Sequence, residues 1–187
     1  MDMDIATFIR TANRLKDVKR AGWVERGVKD PESVADHSFM AALLCMIFPA
    51  KGIDRDKAIK MALIHDLAEA ETGDIITTEN WSEKGTISKK DKEVLERKAL
   101  RKILVGLDPG VSKEIIDLWD EFHEGKTPEA VFAKDVDNAE RILQAVEYRK
   151  NKNYKKPLDG FWDKKGLGMI KDENIKRIVL DIIGKGQ

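Results

Sequence analysis

The feature that most constrains this chain is the run from Val34 to Phe48, which read as a helix is apolar nearly all round. Such a helix has no solvent face of its own, so it belongs at the centre of a packed structure, with Pro49 and Gly52 ending it. Its apolar core, Met40 to Phe48, is too short to span a bilayer and too far from the N-terminus to be a signal peptide. Cys45, the chain's one cysteine, falls in this run and reads as a buried structural thiol.

Helical signals continue on both sides. Ile5, Phe8, Ile9, Ala12 and Leu15 predict a first helix from about Asp4 to Lys16. Gly22, Gly27 and Pro31 argue that the basic stretch Lys19 to Val28 is a loop, with Trp23 exposed in it. Asp54 caps a third helix carrying His65 and Asp66 near its C-terminal end, and Thr72-Gly73-Asp74 breaks the pattern. The polar segment from Thr77 to Thr86 is a candidate mobile lid. Ser88 opens a helix that ends near Gly106, and Asp108-Pro109 and Thr127-Pro128 start helices reaching Glu124 and Lys150. A last helix is expected from Asp172 to Ile183. No stretch alternates as a half-buried strand does and no repeat is present, so the expected fold class is all-α. With 187 residues the chain is read as one domain, residues 1–187, with a motif core of about 8–148 and a C-terminal helical extension of about 149–187.

Lys plus Arg and Asp plus Glu are both 34, so no net field draws nucleic acid or an anionic membrane. No nucleic-acid or membrane partner is expected, and with no spanning run or signal peptide read in the sequence the default compartment is the cytoplasm.

Of the three histidines, His37 and His65 fall in helices expected to be central, and His65 is followed at once by Asp66. A His-Asp pair alone is weak evidence of a site. Glu69, however, lies one helical turn beyond His65, and Asp74 follows where that helix must stop. Asp137 sits on a helix expected to be buried, where a carboxylate needs a partner. Its neighbours Asp135 and Glu140 read as solvent-facing or paired with Lys134 and Arg141. His123, at a helix C-terminus, reads as a cation favoured by the helix dipole.

A His, a later His-Asp pair and a distant Asp, here His37, His65-Asp66 and Asp137, resemble the HD-domain phosphohydrolases. Trp23, Ser33-Val34-Ala35-Asp36-His37-Ser38 and His65 through Asp74 look most like the 5'-deoxynucleotidase branch, over roughly Phe8 to Tyr148. The resemblance implies an HD-type helical bundle in which His37, His65, Asp66 and Asp137 ligate one divalent metal ion. It also implies catalytic or substrate-contacting roles for Glu69 and Asp74, and packing of Trp23 against the nucleoside. Asp74 would meet the sugar 3'-hydroxyl, and Trp23 would disfavour bulk at the 2' position. Bacterial members carry an arginine immediately before that tryptophan, where this chain has Gly22; phosphate binding then passes to Arg26, Arg20 or Lys19, or specificity differs.

Two imidazoles and two carboxylates suit Mn, Co, Fe, Ni or Zn, with Mg less favoured. The expected activity is metal-dependent release of phosphate from deoxyribonucleoside 5'-monophosphates. Two alternatives stay open: an HD site acting on another nucleotide (a nucleoside triphosphate, a cyclic nucleotide or a guanosine polyphosphate), and a non-catalytic metal or nucleotide sensor. A homodimer is implied by the resemblance, and Phe161, Trp162, Leu167 and Met169 read either as its interface or as a packing arm.

Overall fold

A computed structural model describes residues 5–77 and 87–185. α1 (Ile5–Asn13) tightens into a 3-10 turn at Arg14–Lys16 and is followed by α2 (Ala21–Glu25) and α3 (Val34–Ile47). Next come α4 (Arg55–Ile64), α5 (Glu69–Thr72), α6 (Lys89–Ile103), α7 (Pro109–Glu124) and α8 (Pro128–Lys150). A 3-10 turn at Asp159–Phe161 precedes α9 (Lys164–Leu167) and α10 (Glu173–Lys185). The fold is all-α: extended pairing among the described residues is limited to two isolated bridges, Lys19 with Ser33 and Thr77 with Ile87. The candidate lid, apart from Thr77, lies outside the described residues.

Caps set the helix starts. Ser33 accepts the Asp36 amide while Asp36 accepts the Ser33 amide, a reciprocal box at the head of α3. Asp54, Ser88, Asp108 and Thr127 do the same job singly for α4, α6, α7 and α8. Each satisfies an amide that the helix itself leaves unpaired, worth about 1 kcal/mol.

α3, α4 and α8 pack on one another, with α7 against α4 and α10 against α8. Ala41, Ala58, Ala62, Ala133 and Ala139 are buried at these crossings, and their small side chains let the helices approach closely. The buried Cys45 thiol, pushed up to about 12 chiefly by burial, is inert packing. The polar residues on the inner faces of α3, the end of α4, and α8 are thereby brought to one point.

Two expectations need correction, and an open alternative is narrowed. α3 is not enclosed: Phe39, Met46 and Ile47 are 62%, 56% and 65% exposed, because α4 and α8 cover only one of its sides. The stretch around Trp23 is not a loop with an exposed indole. It forms α2, and Trp23, 2% exposed, packs against Tyr148 and Phe161 with ring centroids 5.2 and 4.5 Å away. The C-terminal apolar residues behave as a packing arm. Phe161 is buried beside Trp23, and Trp162 and Leu167 are partly buried against the core. No helix among the described residues is long and apolar enough to cross a membrane.

Candidate metal centre and adjoining pocket

His37 comes from the first turn of α3, Asp137 from the middle of α8, and His65 caps the C-terminus of α4. After His65 the chain does not continue as α-helix. Amides of Leu67, Glu69, Ala70 and Glu71 bond to carbonyls three residues back, giving a tighter turn before α5. In such a turn positions three apart align, which puts Glu69 on the side of Asp66, whose charge acts on it, rather than one α-helical turn along from His65. Trp119 on α7 pins the turn by donating its indole N–H to the His65 carbonyl, at 3.0 Å. Gly73, at φ 71°, turns the chain after α5 so that Asp74 comes back toward α2.

Four donor groups converge. His37 Nε2 lies 3.1 Å from Asp137 Oδ1 and 3.3 Å from His65 Nε2, and His65 Nε2 lies 3.2 Å from Asp66 Oδ2. Two longer diagonals of 3.9 Å join His37 to Asp66 and His65 to Asp137. Each imidazole is held by its other nitrogen: His65 Nδ1 bonds to the Ala62 carbonyl at 2.7 Å, and His37 Nδ1 to Glu140 Oε2 at 2.5 Å. A carbonyl only accepts, so His65 Nδ1 carries the proton and the neutral ring turns a bare Nε2 toward the centre. The centre is thus ringed by lone pairs that repel one another unless a cation lies among them. Donors bound to one ion at about 2.1 Å stand about 3–3.5 Å apart, the spacing of the shorter contacts here. The residues fit a metal ion.

Without an ion, protons take up that charge. Burial and Arg20 disfavour a charged His37, yet Asp137 and Glu140 outweigh them and hold its pKa up at about 10. His65 is raised too, since Asp66 and Asp137 overcome its burial. Asp66 and Asp137 are depressed despite burial, by the two imidazoles and Arg20.

Beside this centre lies a cavity of about 150 Å³ whose walls include Arg20, Arg26, Lys92 and Arg141, with Asp74, Trp23 and Phe161. Arg20 connects the two: its Nη1 is 2.9 Å from Asp66 Oδ2 and 4.0 Å from Asp74 Oδ2. The Asp74 Oδ2 atom also accepts the Ala21 amide at 2.7 Å. Trp23 donates its indole N–H to Glu32 Oε1 at 2.6 Å, and Arg26 and Arg141 lie 5.9 and 6.0 Å over the Phe161 ring. Gly22 lines the cavity with open space where a side chain would project. Four cations on an aromatic wall suit an anionic ligand with a flat, apolar part.

The sequence-derived site residues divide accordingly. Of the four residues expected to hold a metal, His37, His65 and Asp137 meet and Asp66 stands beside His65, while Arg20, Arg26, Trp23 and Asp74 line the adjoining cavity. Lys19 is exposed and stands apart from it. Glu69 is fully buried behind the cavity, where Lys92 holds it at 2.9 Å. Burial first, then Asp66 and Asp74, raise its pKa well above the usual range. Asp135 and Glu140 do not face solvent: Asp135 accepts the amides of Lys171 and Asp172 ahead of α10, and Glu140 orients His37. His123 is not a helix-end cation. Burial lowers its pKa to about 4, and its ring stacks on Trp119 at 3.7 Å. Reasoning from sequence missed Lys92, which reads as surface, and gave Arg141 and Phe161 other roles, as an ion-pair partner and as an interface or packing-arm residue.

A family model described as HD domain matches residues 12–166. The chain belongs to the HD domain family. Within it, the chain groups with proteins named 5'-deoxynucleotidase HDDC2. The Mus musculus protein is 38% identical over 156 residues, 83% of this chain and 75% of its own length. The Dictyostelium discoideum protein is 41% identical over 167 residues, 83% of this chain and 85% of its own. Among solved structures, the PH0347 protein of Pyrococcus horikoshii OT3 superposes with a TM-score of 0.74 at 33% identity, covering 97% of this chain and 98% of that one.

Proposed function

We propose that the protein is a metal-dependent 5'-deoxynucleotidase that hydrolyses deoxyribonucleoside 5'-monophosphates to deoxynucleoside and phosphate. The observation that carries this is the junction of two oriented imidazoles and two carboxylates with a cationic, aromatic-walled cavity. His37, His65, Asp66 and Asp137 would hold one divalent ion, for which Mn, Co, Fe, Ni or Zn suits the nitrogen and oxygen donors better than Mg. When bound, such an ion supplies Lewis-acid polarisation of the phosphoryl group and lowers the pKa of water.

This chain's residues do the rest. Arg20, beside Asp66, meets the phosphoryl oxygens, with Arg26 and Arg141 neutralising the remaining charge in place of the side chain absent at Gly22. Trp23, fixed by Glu32, Tyr148 and Phe161, presents a rigid edge to the sugar, and Asp74 accepts the 3'-hydroxyl. Glu69, buried behind the cavity, would exchange through one intervening water the proton that hydrolysis moves from the attacking water to the leaving 5'-oxygen. The exposed apolar face of α3 is the surface on which two copies would pair. Phe39, Met46 and Ile47 are each more than half exposed, and no charged residue interrupts α3 after His37. The setting is the cytoplasm.

The open wall at Gly22 is what favours a second reading, a bulkier nucleotide as substrate. Metal-stripped protein, reloaded with Mn, Co, Zn or Mg and offered ribo- and deoxyribonucleoside 5'-monophosphates, separates the two. Phosphate release from deoxy substrates, abolished by Asp66→Ala, is expected. Silence on monophosphates beside release from triphosphates or cyclic nucleotides would transfer the site to the second reading.

A further inference from the structure

We propose that Lys92, on α6, is a positioning residue for this reaction: its single ammonium fixes the carboxylates of Glu69 and Asp74 at the wall of the substrate cavity. The inference rests on the deoxynucleotidase reading and extends it to a helix that carries none of the motif residues named from the sequence.

Lys92 Nζ lies 2.9 Å from Glu69 Oε1, 3.6 Å from Asp74 Oδ1 and 3.3 Å from Glu96 Oε1. These carboxylates come from α5, from the segment just after it, and from α6. Burial and mutual repulsion disfavour the charge on Glu69 and Glu96, so carboxylates this close stay together as anions only with a cation among them. Glu96, one turn along α6 and itself buried, fixes the lysine's own position. Glu69 Oε2 is buried with no hydrogen-bond partner among the described residues, so Lys92 is the side chain that sets its orientation. Lys92 and Asp74 both line the cavity, whereas Glu69 lies behind it. The lysine is therefore the mechanical connection between a buried acid and the place where substrate would lie. Burial opposes its charge, and Glu69, Glu96 and Asp74 more than restore it.

Because reacting groups lose about 100-fold in rate for about 1 Å of displacement, the effect belongs in kcat. With Mn-loaded protein and dAMP, Lys92→Met is expected to lower kcat about 100-fold, with a smaller rise in KM through the lost hold on Asp74. Lys92→Met combined with Glu69→Gln is expected to be much less than about 100-fold slower than Glu69→Gln alone, because the effect through Glu69 is already gone and only the hold on Asp74 remains to be lost. A wild-type kcat, a loss confined to KM, or multiplicative effects in the double variant would overturn the inference. If Lys92→Met does not fold, Lys92→Arg carries the test. Its planar guanidinium cannot reproduce the three contacts, so a loss of about tenfold in kcat is expected and a wild-type kcat overturns the inference. Wild-type protein that releases no phosphate refutes the underlying reading and the inference with it. Wild-type turnover beside an equally active Lys92 variant refutes the inference alone.

Discussion

Glu140→Gln isolates a carboxylate that is not among the four proposed ligands yet reaches the metal centre through one of them. Glu140 Oε2 sits 2.5 Å from His37 Nδ1, and both residues are buried. Glutamine keeps an oxygen that accepts the Nδ1 proton, so the ring stays oriented and Nε2 stays bare. The negative charge that strengthens Nε2 as a donor is lost. Removing such a partner weakens metal binding about 10- to 100-fold, equivalent to about 1.4–2.8 kcal/mol. The short contact and the exclusion of water around it put this pair toward the upper end. Competition with a chelator of known affinity reads the change directly. By linkage, the stabilisation that saturating metal gives over metal-free protein shrinks by the same amount. An affinity within twofold of wild type would refute the idea that Glu140 tunes the site.

Three other outcomes are expected. In metal-free protein the His37 pKa of about 10 stands above its unfolded value of about 6.5, so its contribution to stability is complete below pH 6.5 and is lost as pH rises toward 10. Metal binding must displace those protons, so affinity measured by titration should rise across the same window; a flat profile would contradict the assignment. Trp23→Phe removes the indole N–H that Glu32 accepts at 2.6 Å and should cost about 1–3 kcal/mol in urea unfolding, with a raised KM for nucleotide; unchanged stability would show that the bond contributes nothing. Phe39→Glu with Met46→Glu should convert a dimer to monomer in sedimentation at unchanged helicity, and a wild-type protein that sediments as a monomer would refute the pairing face.

Much of this architecture was legible because its signals are local. Ser33, Asp54, Ser88, Asp108 and Thr127 mark helix starts through hydrogen bonds made within three residues, and each start fell where the sequence put it. The four proposed ligands were legible only as a pattern of residue types, and the structure brings His37, His65 and Asp137 together with Asp66 beside His65. The failures involve partners distant in sequence. Two glycines argued for a loop around Trp23, but contacts with Tyr148 and Phe161, more than a hundred residues away, stabilise a five-residue helix there. Glu140 and Asp135 look like surface acids on α8, and only the enclosure of that helix by α3, α4, α7 and α10 reveals that both are buried. Lys92 lies in a charged helix whose pattern resembles any solvated face. Its role depends on where α5 is packed, which no spacing within α6 records.

The claim on which everything else depends is a single divalent ion held jointly by α3, α4 and its following turn, and α8. Titrating metal-stripped protein with Co(II), following its visible absorption, measures this most directly. One equivalent with a mixed nitrogen and oxygen spectrum is expected, with binding weakened severely by Asp137→Ala or His37→Ala in protein that still folds. Absence of saturable binding in the wild type, or an unaltered titration in both variants, would contradict it.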